Sequence, residues 1–235
     1  MPRLMAFGIV GLAGCASPAS TPIFRATQLD YALAVEWLGA QRTTDGWGFV
    51  NARGYEIVVD SWQLGTVYVE LVPCPSPGAS STSDVEATPV HGAYTHDPSV
   101  LEGPWLEELV SGETLSVGRV AVDAEDYCEG FHVHAVADGA MASETSGRFR
   151  APGADEWTRF EAWTPLSSSG LTELEGGRLD DSLEVGEVRV IWTRHPVLAF
   201  SEVDFEALTE SELGFVLASE LARTSTANWF IAPGP

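Results

Sequence analysis

Period-two alternation of apolar and polar residues runs through this chain and commits it to β structure. In "LDYALAVEWLG" (29–39), Tyr31, Leu33, Val35 and Trp37 fall on one face. "GYEIVVD" (54–60) and "GTVYVELVPC" (65–74) follow, separated by a turn-like "SWQL", with Val67, Val69 and Leu71 sharing a face. "ETLSVGRVAVD" (113–123), "DYCEGFHVHAVAD" (126–138), "SGRFRAPG", "EWTRFEAWTPL" and "EVGEVRVIWTRH" continue the pattern, and Val188, Val190 and Trp192 align in the last. "PSVLEGPWLEELV" (98–110) reads as one short helix or turn.

Helical spacing competes in one place, "VDFEALTESELGFVLASELARTST", where Leu208, Glu212, Leu213, Val216, Leu217, Glu220 and Leu221 recur at three and four. The expected fold is mainly β: a single antiparallel β-sandwich, immunoglobulin-like, of about eight or nine strands, with one helical segment near the C-terminus. It spans residues 27–235, with a Ser/Pro/Gly/Thr-rich loop at 75–98 long enough to suggest function or disorder.

The chain start says where such a domain belongs. "MPRLMAFGIVGLAGC" carries one positive charge, Arg3, then an uncharged apolar run to Gly14. That run falls short of the roughly 20 residues a spanning helix needs, and it has the form of an export signal. Leu12-Ala13-Gly14-Cys15 resembles a bacterial lipobox. The resemblance implies a signal peptide over 1–14, cleavage before Cys15, and lipid on that cysteine (palmitate among the acyl groups). Ala16 resembles the sorting pattern for the outer membrane. Small and Pro/Ser-rich residues then make 15–26 a flexible tether. The expected location is the bacterial outer membrane, by lipid anchor, facing the periplasm or the surface.

The formal charge is −22, or −23 once Arg3 leaves with the signal, and all twelve basic residues are arginine. A chain this acidic is repelled by nucleic acid and by anionic lipid, so the membrane partnership expected here runs through the N-terminal lipid alone.

Two cysteines remain, Cys74 ending one strand and Cys128 beginning another. In an oxidising compartment a disulfide is expected, with a thiolate pair as the alternative. The order "GYEIVVDSWQLGTVYVELVPC", then a His-bearing loop, then "DYCEGFHVH", resembles uncharacterised bacterial lipoproteins that pair a Cys-terminated strand with a later Tyr-Cys strand. More faintly it resembles the copper-associated MbnP-like lipoproteins. That group's four-cysteine pattern is absent, and no functional residue carries over.

Four of the five histidines fall between residues 91 and 134. On a strand, His132 and His134 stand side by side, with Phe131, Val133 and Ala135 expected to point the other way, into the core. Two imidazoles can begin a Zn or Cu site, and His91 and His96 in "VHGAYTHDPS", beside Asp97, are the candidates to complete it. The alternative is a pair of hydrogen-bonded structural histidines. His195, before Pro196, reads as a strand-end residue.

Trp37, Trp157, Trp163 and Trp192 lie in alternating strands and are expected in the core; Trp47, Trp62, Trp105 and Trp229 lie nearer turns. An exposed row of tryptophans would suit an envelope carbohydrate-binding module. No Gly-x-Ser-x-Gly elbow, P-loop or HExxH is present, and "SSSG" (167–170) reads as a serine-rich turn. The expected role is therefore non-enzymatic: binding of a metal ion or an envelope component, or a structural part.

Overall fold

The computed structural model describes residues 27–75, 99–122, 126–137, 139–175 and 187–231. The expected signal peptide, Cys15 and the expected tether lie outside the described residues, as do nearly all of the expected 75–98 loop and with it His91, His96 and Asp97. In chain order the elements are β1 (Thr27–Val35), β2 (Gln41–Arg42), β3 (Trp47–Val50), β4 (Glu56–Pro73), β5 (Leu101–Glu108), β6 (Leu115–Val122) and β7 (Tyr127–His134). There follow β8 (Ser143–Arg150), β9 (Thr158–Thr164), β10 (Ser168–Glu175), β11 (Glu187–Arg194), α1 (Pro196–Ala199), α2 (Glu210–Thr224) and β12 (Thr226–Ile231). The chain is mainly β with one substantial helix near the C-terminus, as the alternation implies.

One sheet carries the order β2-β3-β4-β7-β10-β12-β11-β1-β6, with β5 and β8 also on β4, and β9 on β8. It curls until β5 lies beside β6, so β4 and β7 face β1 and β11 across a shared core. The two opposed walls of a sandwich are thus made from one continuous sheet. The sheet is mixed, because β1 runs parallel to β11 and β10 parallel to β12.

The long β4 organises this arrangement. "SWQL" is not a turn: Trp62 and Leu64 keep the alternation and are fully buried, so the strand runs on through it. Register shifts at Val59/Ser61 and Thr66/Tyr68 bend it. Its first half pairs β3 and β8, its second half β5 and β7. Gly65 sits at the bend, where a Cβ would come within 2.3 Å of the Ala135 carbonyl oxygen.

The segment expected as a helix or turn at 98–110 is instead β5. Pro104 is tolerated there because β5 is laddered on one side only, to β4. "SSSG" likewise opens β10 rather than forming a turn.

Helix α2 begins on a capping box, Thr209 accepting from the Glu212 amide while the Glu212 carboxylate accepts from the Thr209 amide. Leu213, Leu217 and Leu221 give it one buried face. That face closes a core with Trp62, Phe160, Phe200 and Phe205, while a second core fills the curl with Leu29, Tyr31, Val69, Leu71, Val190 and Trp192.

Cys74 and Cys128 form a disulfide, Cα–Cα 4.9 Å, that staples the end of β4 to the start of β7. It closes a separation of 54 residues. In the chain-entropy model such a closure contributes roughly 4 kcal/mol.

Candidate functional site

β7 is flanked by β4 and β10, so one of its faces must line the interior. The face turned inward holds Gly130, His132 and His134; both histidines have no exposed surface. Phe131, Val133 and Ala135 are only partly buried, and Phe131 meets the Tyr68 ring edge-on. The expected facing of this strand is therefore reversed. Both faces of β7 carry residues that tolerate burial, and the interior it meets here is polar.

That interior is a layer between the two apolar cores. Thr66 lies between Leu64 of one core and Val69 of the other; Glu107 lies between Leu109 and Trp105. Arg194 and Ser225 likewise follow or precede Trp192 and Ala227 where the chain leaves the second core. Arg194 is fully buried and Glu107 5% exposed. Arg194 donates through Nη2 to Glu107 Oε1 at 3.1 Å and through Nε to Oε2 at 3.3 Å. It also donates to Ser225 Oγ and Thr66 Oγ1, both at 3.3 Å, and Thr66 donates to Glu107. The guanidinium and carboxylate neutralise each other.

His132 pairs across the sheet with Val69 and Gly170, His134 with Thr66 and Ser168. The two imidazole centroids are 4.9 Å apart, with planes at 42°. Gly170 is required: a Cβ there would lie 2.6 Å from His132 Cε1 and 2.2 Å from the Ala222 carbonyl oxygen of α2.

Ser168 Oγ donates to the Ala218 carbonyl at 3.2 Å and stands 3.3 Å from His134 Nδ1. With its proton directed at Ala218, Ser168 can only accept from Nδ1–H. That network assigns the neutral ring's proton to Nδ1 and leaves the Nε2 lone pair free. Among the described residues, His134 Nε2 and both ring nitrogens of His132 are buried without a hydrogen-bond partner.

Burial pushes the pKa of His132 well below the ordinary 6.5, and the Arg194 charge pushes the same way. For His134 the causes are burial, then Arg194, then His132, opposed by the Ala218 backbone. Both rings are thus held neutral, the form that can ligate a metal.

Among the described residues no group of three or more His, Cys, Asp or Glu converges to hold a metal ion. The pair offers nitrogen donors from two residues, and the bridged cysteines offer no thiolate. His195 stands at the end of β11, as expected, with Nε2 3.1 Å from Thr226 Oγ1. A cleft of about 140 Å³, lined by Leu33, Leu109 and Leu115 among others, reaches Glu107 from outside.

The residues missed from sequence are Thr66, Glu107, Ser168, Arg194 and Ser225. Arg194 carried a signal, since it continues the Val188, Val190, Trp192 face by one more step of two.

The tryptophans divide otherwise than expected. Trp37 and Trp192 are in the core, but Trp157 and Trp163 are 41% and 39% exposed. Trp62 is fully buried, donating to Ser143 Oγ. β9 sends Phe160 and Ala162 inward against the core under α2, so its alternate residues meet solvent.

No protein-family model matches this chain, and no curated protein or solved structure matches it.

Proposed function

We propose that this chain is a lipid-anchored protein of the bacterial envelope with a non-enzymatic binding role, and that its ligand is a Zn or Cu ion taken by His132 and His134. The observation that carries the reading is a pair of neighbouring, fully buried imidazoles, held neutral by burial, with three ring nitrogens unpartnered among the described residues. The Ser168 contact to His134 Nδ1 supports it, because metal-binding histidines commonly donate their second ring N–H to a fixed acceptor. His91 or His96 would complete the coordination. The Cys74–Cys128 bridge supports export, since such bonds persist in oxidising compartments.

Metal titration at neutral pH tests the ligand. Protein starting at Ser17 is expected to bind Zn or Cu, and His132→Gln and His134→Gln are each expected to weaken binding by at least about tenfold. His195→Gln, whose ring is engaged by Thr226, should leave it unchanged. Diffuse attraction by the acidic surface predicts instead a weak, salt-screened association indifferent to all three. That outcome would remove the metal reading.

Anchoring has its own test. Labelled palmitate should enter the wild-type protein in a bacterial host and not Cys15→Ser, which should also leave the membrane fraction. Equal labelling of both would remove the lipid anchor.

A further inference from the structure

Among the described residues, β2, β5, β6 and β9 are laddered on one side only. An open strand edge offers its backbone N–H and C=O groups to any other chain, and proteins usually blunt it. β2 is blunted by its length of 2 residues. β5 carries Pro104 and a register shift against β4, and β6 a register shift against β1 beside Gly118. β5 and β6 also lie side by side, each shielding the other.

β9 has none of these devices. It pairs with β8 along its 7 residues without a register shift, and it contains no proline. No backbone hydrogen bond among the described residues reaches its far edge. The segment along that edge is symmetric in kind about Phe160: Trp157, Thr158, Arg159, Phe160, Glu161, Ala162, Trp163. A tryptophan stands at each end, and opposite charges stand one step either side of the centre. Trp157, Arg159, Glu161 and Trp163 are exposed, whereas Phe160 and Ala162 are buried on the other face. Neither Arg159 nor Glu161 forms an ion pair among the described residues. Arg159 instead stands opposite Arg148 of β8, a like-charge pair that costs stability.

We propose that β9 pairs antiparallel with β9 of a second copy of this chain, about a two-fold axis at Phe160, so that one sheet runs from copy to copy. That register sets Arg159 of each copy opposite Glu161 of the other, and Trp163 opposite Trp157. On the inner face Thr158 comes opposite Ala162 and Phe160 opposite Phe160, so no charge is buried there. Moving the axis one residue sets Glu161 against Glu161 or Arg159 against Arg159, so the charges select the register. The Arg148 and Arg150 guanidinium groups already lie over the Trp157 ring. The apolar surface newly covered therefore comes chiefly from Trp163, 39% exposed. A second copy is the partner that always carries the matching pattern. Two chains of formal charge −22 repel each other, but at physiological salt that repulsion is screened beyond roughly 8 Å and the facing residues decide. This edge is separate from the histidine pair and does not depend on the metal reading.

Sedimentation equilibrium and light scattering of the intact protein at physiological salt, over about 1 to 100 μM, test the dimer. Wild type is expected to pass from monomer to dimer within that range, as suits a small interface of under about 1,200 Å². Arg159→Glu and Glu161→Arg each set like charges opposite at both sites about the axis. Each should weaken the dimer by at least about tenfold. Both side chains are exposed, and unchanged melting curves will show that the variants remain folded. Mixed in equal amounts, the two variants restore opposite charges at both sites and should dimerise as wild type does. His132→Gln should associate normally. The proposal is overturned if wild type is still monomeric at about 100 μM, if either variant alone dimerises as wild type does, or if the mixture fails to associate.

Discussion

Arg194→Met is expected to lower the free energy of unfolding by about 3–5 kcal/mol, measured by urea denaturation at neutral pH. The cost does not come mainly from losing an attraction. Glu107 is 5% exposed, and without the guanidinium its carboxylate would remain in the interior with Thr66 as its one remaining side-chain partner among the described residues. Ser225 keeps its bond to the Leu221 carbonyl, so its hydroxyl is not stranded. If the buried charge is the cause, removing it should help. Arg194→Met with Glu107→Gln leaves an acceptor for Thr66 and no net charge, and should be more stable than Arg194→Met alone. Isosteric replacement of a buried pair often comes close to neutral, whereas breaking one half does not. A loss of under about 1 kcal/mol for the single variant, the range of a solvent-exposed pair, would show that water reaches this layer.

The same layer explains which parts of the molecule were legible in its sequence. Alternation reports which residues share a face, and it did so for β1, β6, β7 and β11. It does not report which face turns inward when both carry buriable side chains. On β7 one face offers Phe131 and Val133, the other Gly130 and two histidines. Hydrophobicity favours the first, but the layer formed by Thr66, Glu107 and Arg194 favours the second. These partners come from β4, β5 and β11, far apart in the chain, and no local pattern links them. Helix α2 was legible because its cap and stripe are local, and the disulfide because two cysteines sat at the ends of expected strands. β5 was obscured by Gly103 and Pro104, which local rules read as a break although an edge strand accommodates them. Trp163 was misplaced for the β7 reason in reverse: its strand buries Phe160 and Ala162 and leaves the larger ring outside.

Acid should destabilise this protein before its carboxylates begin to titrate. His132 and His134 have folded-state pKa values well below 6.5, whereas in the unfolded chain both protonate near 6.5. Below that pH the unfolded state binds more protons, so stability is fully present above about 6.5 and lost as pH falls towards the folded values. At one pH unit below 6.5 the loss approaches about 1.4 kcal/mol for each imidazole, near 3 kcal/mol for the pair. Every charged group in contact acts to keep the rings neutral or is itself balanced. Arg194 opposes protonation, each ring would oppose a charge on the other, and Glu107 is committed to Arg194. From α2 the site receives the Ala218 carbonyl, the one influence that favours the proton. Ordinary carboxylates titrate near 4, so between pH 7.5 and 5.5 the effect belongs to histidine. Urea denaturation at those two pH values should therefore show a loss, at most about 3 kcal/mol, in the metal-free wild type, and most of it should vanish in His132→Gln/His134→Gln. Arg194→Met should also shrink it, since the folded pKa values would rise towards 6.5 and narrow the window. Equal stability at both pH values would mean that the two rings take up protons in the folded state as readily as in the unfolded chain, so that burial does not hold them neutral.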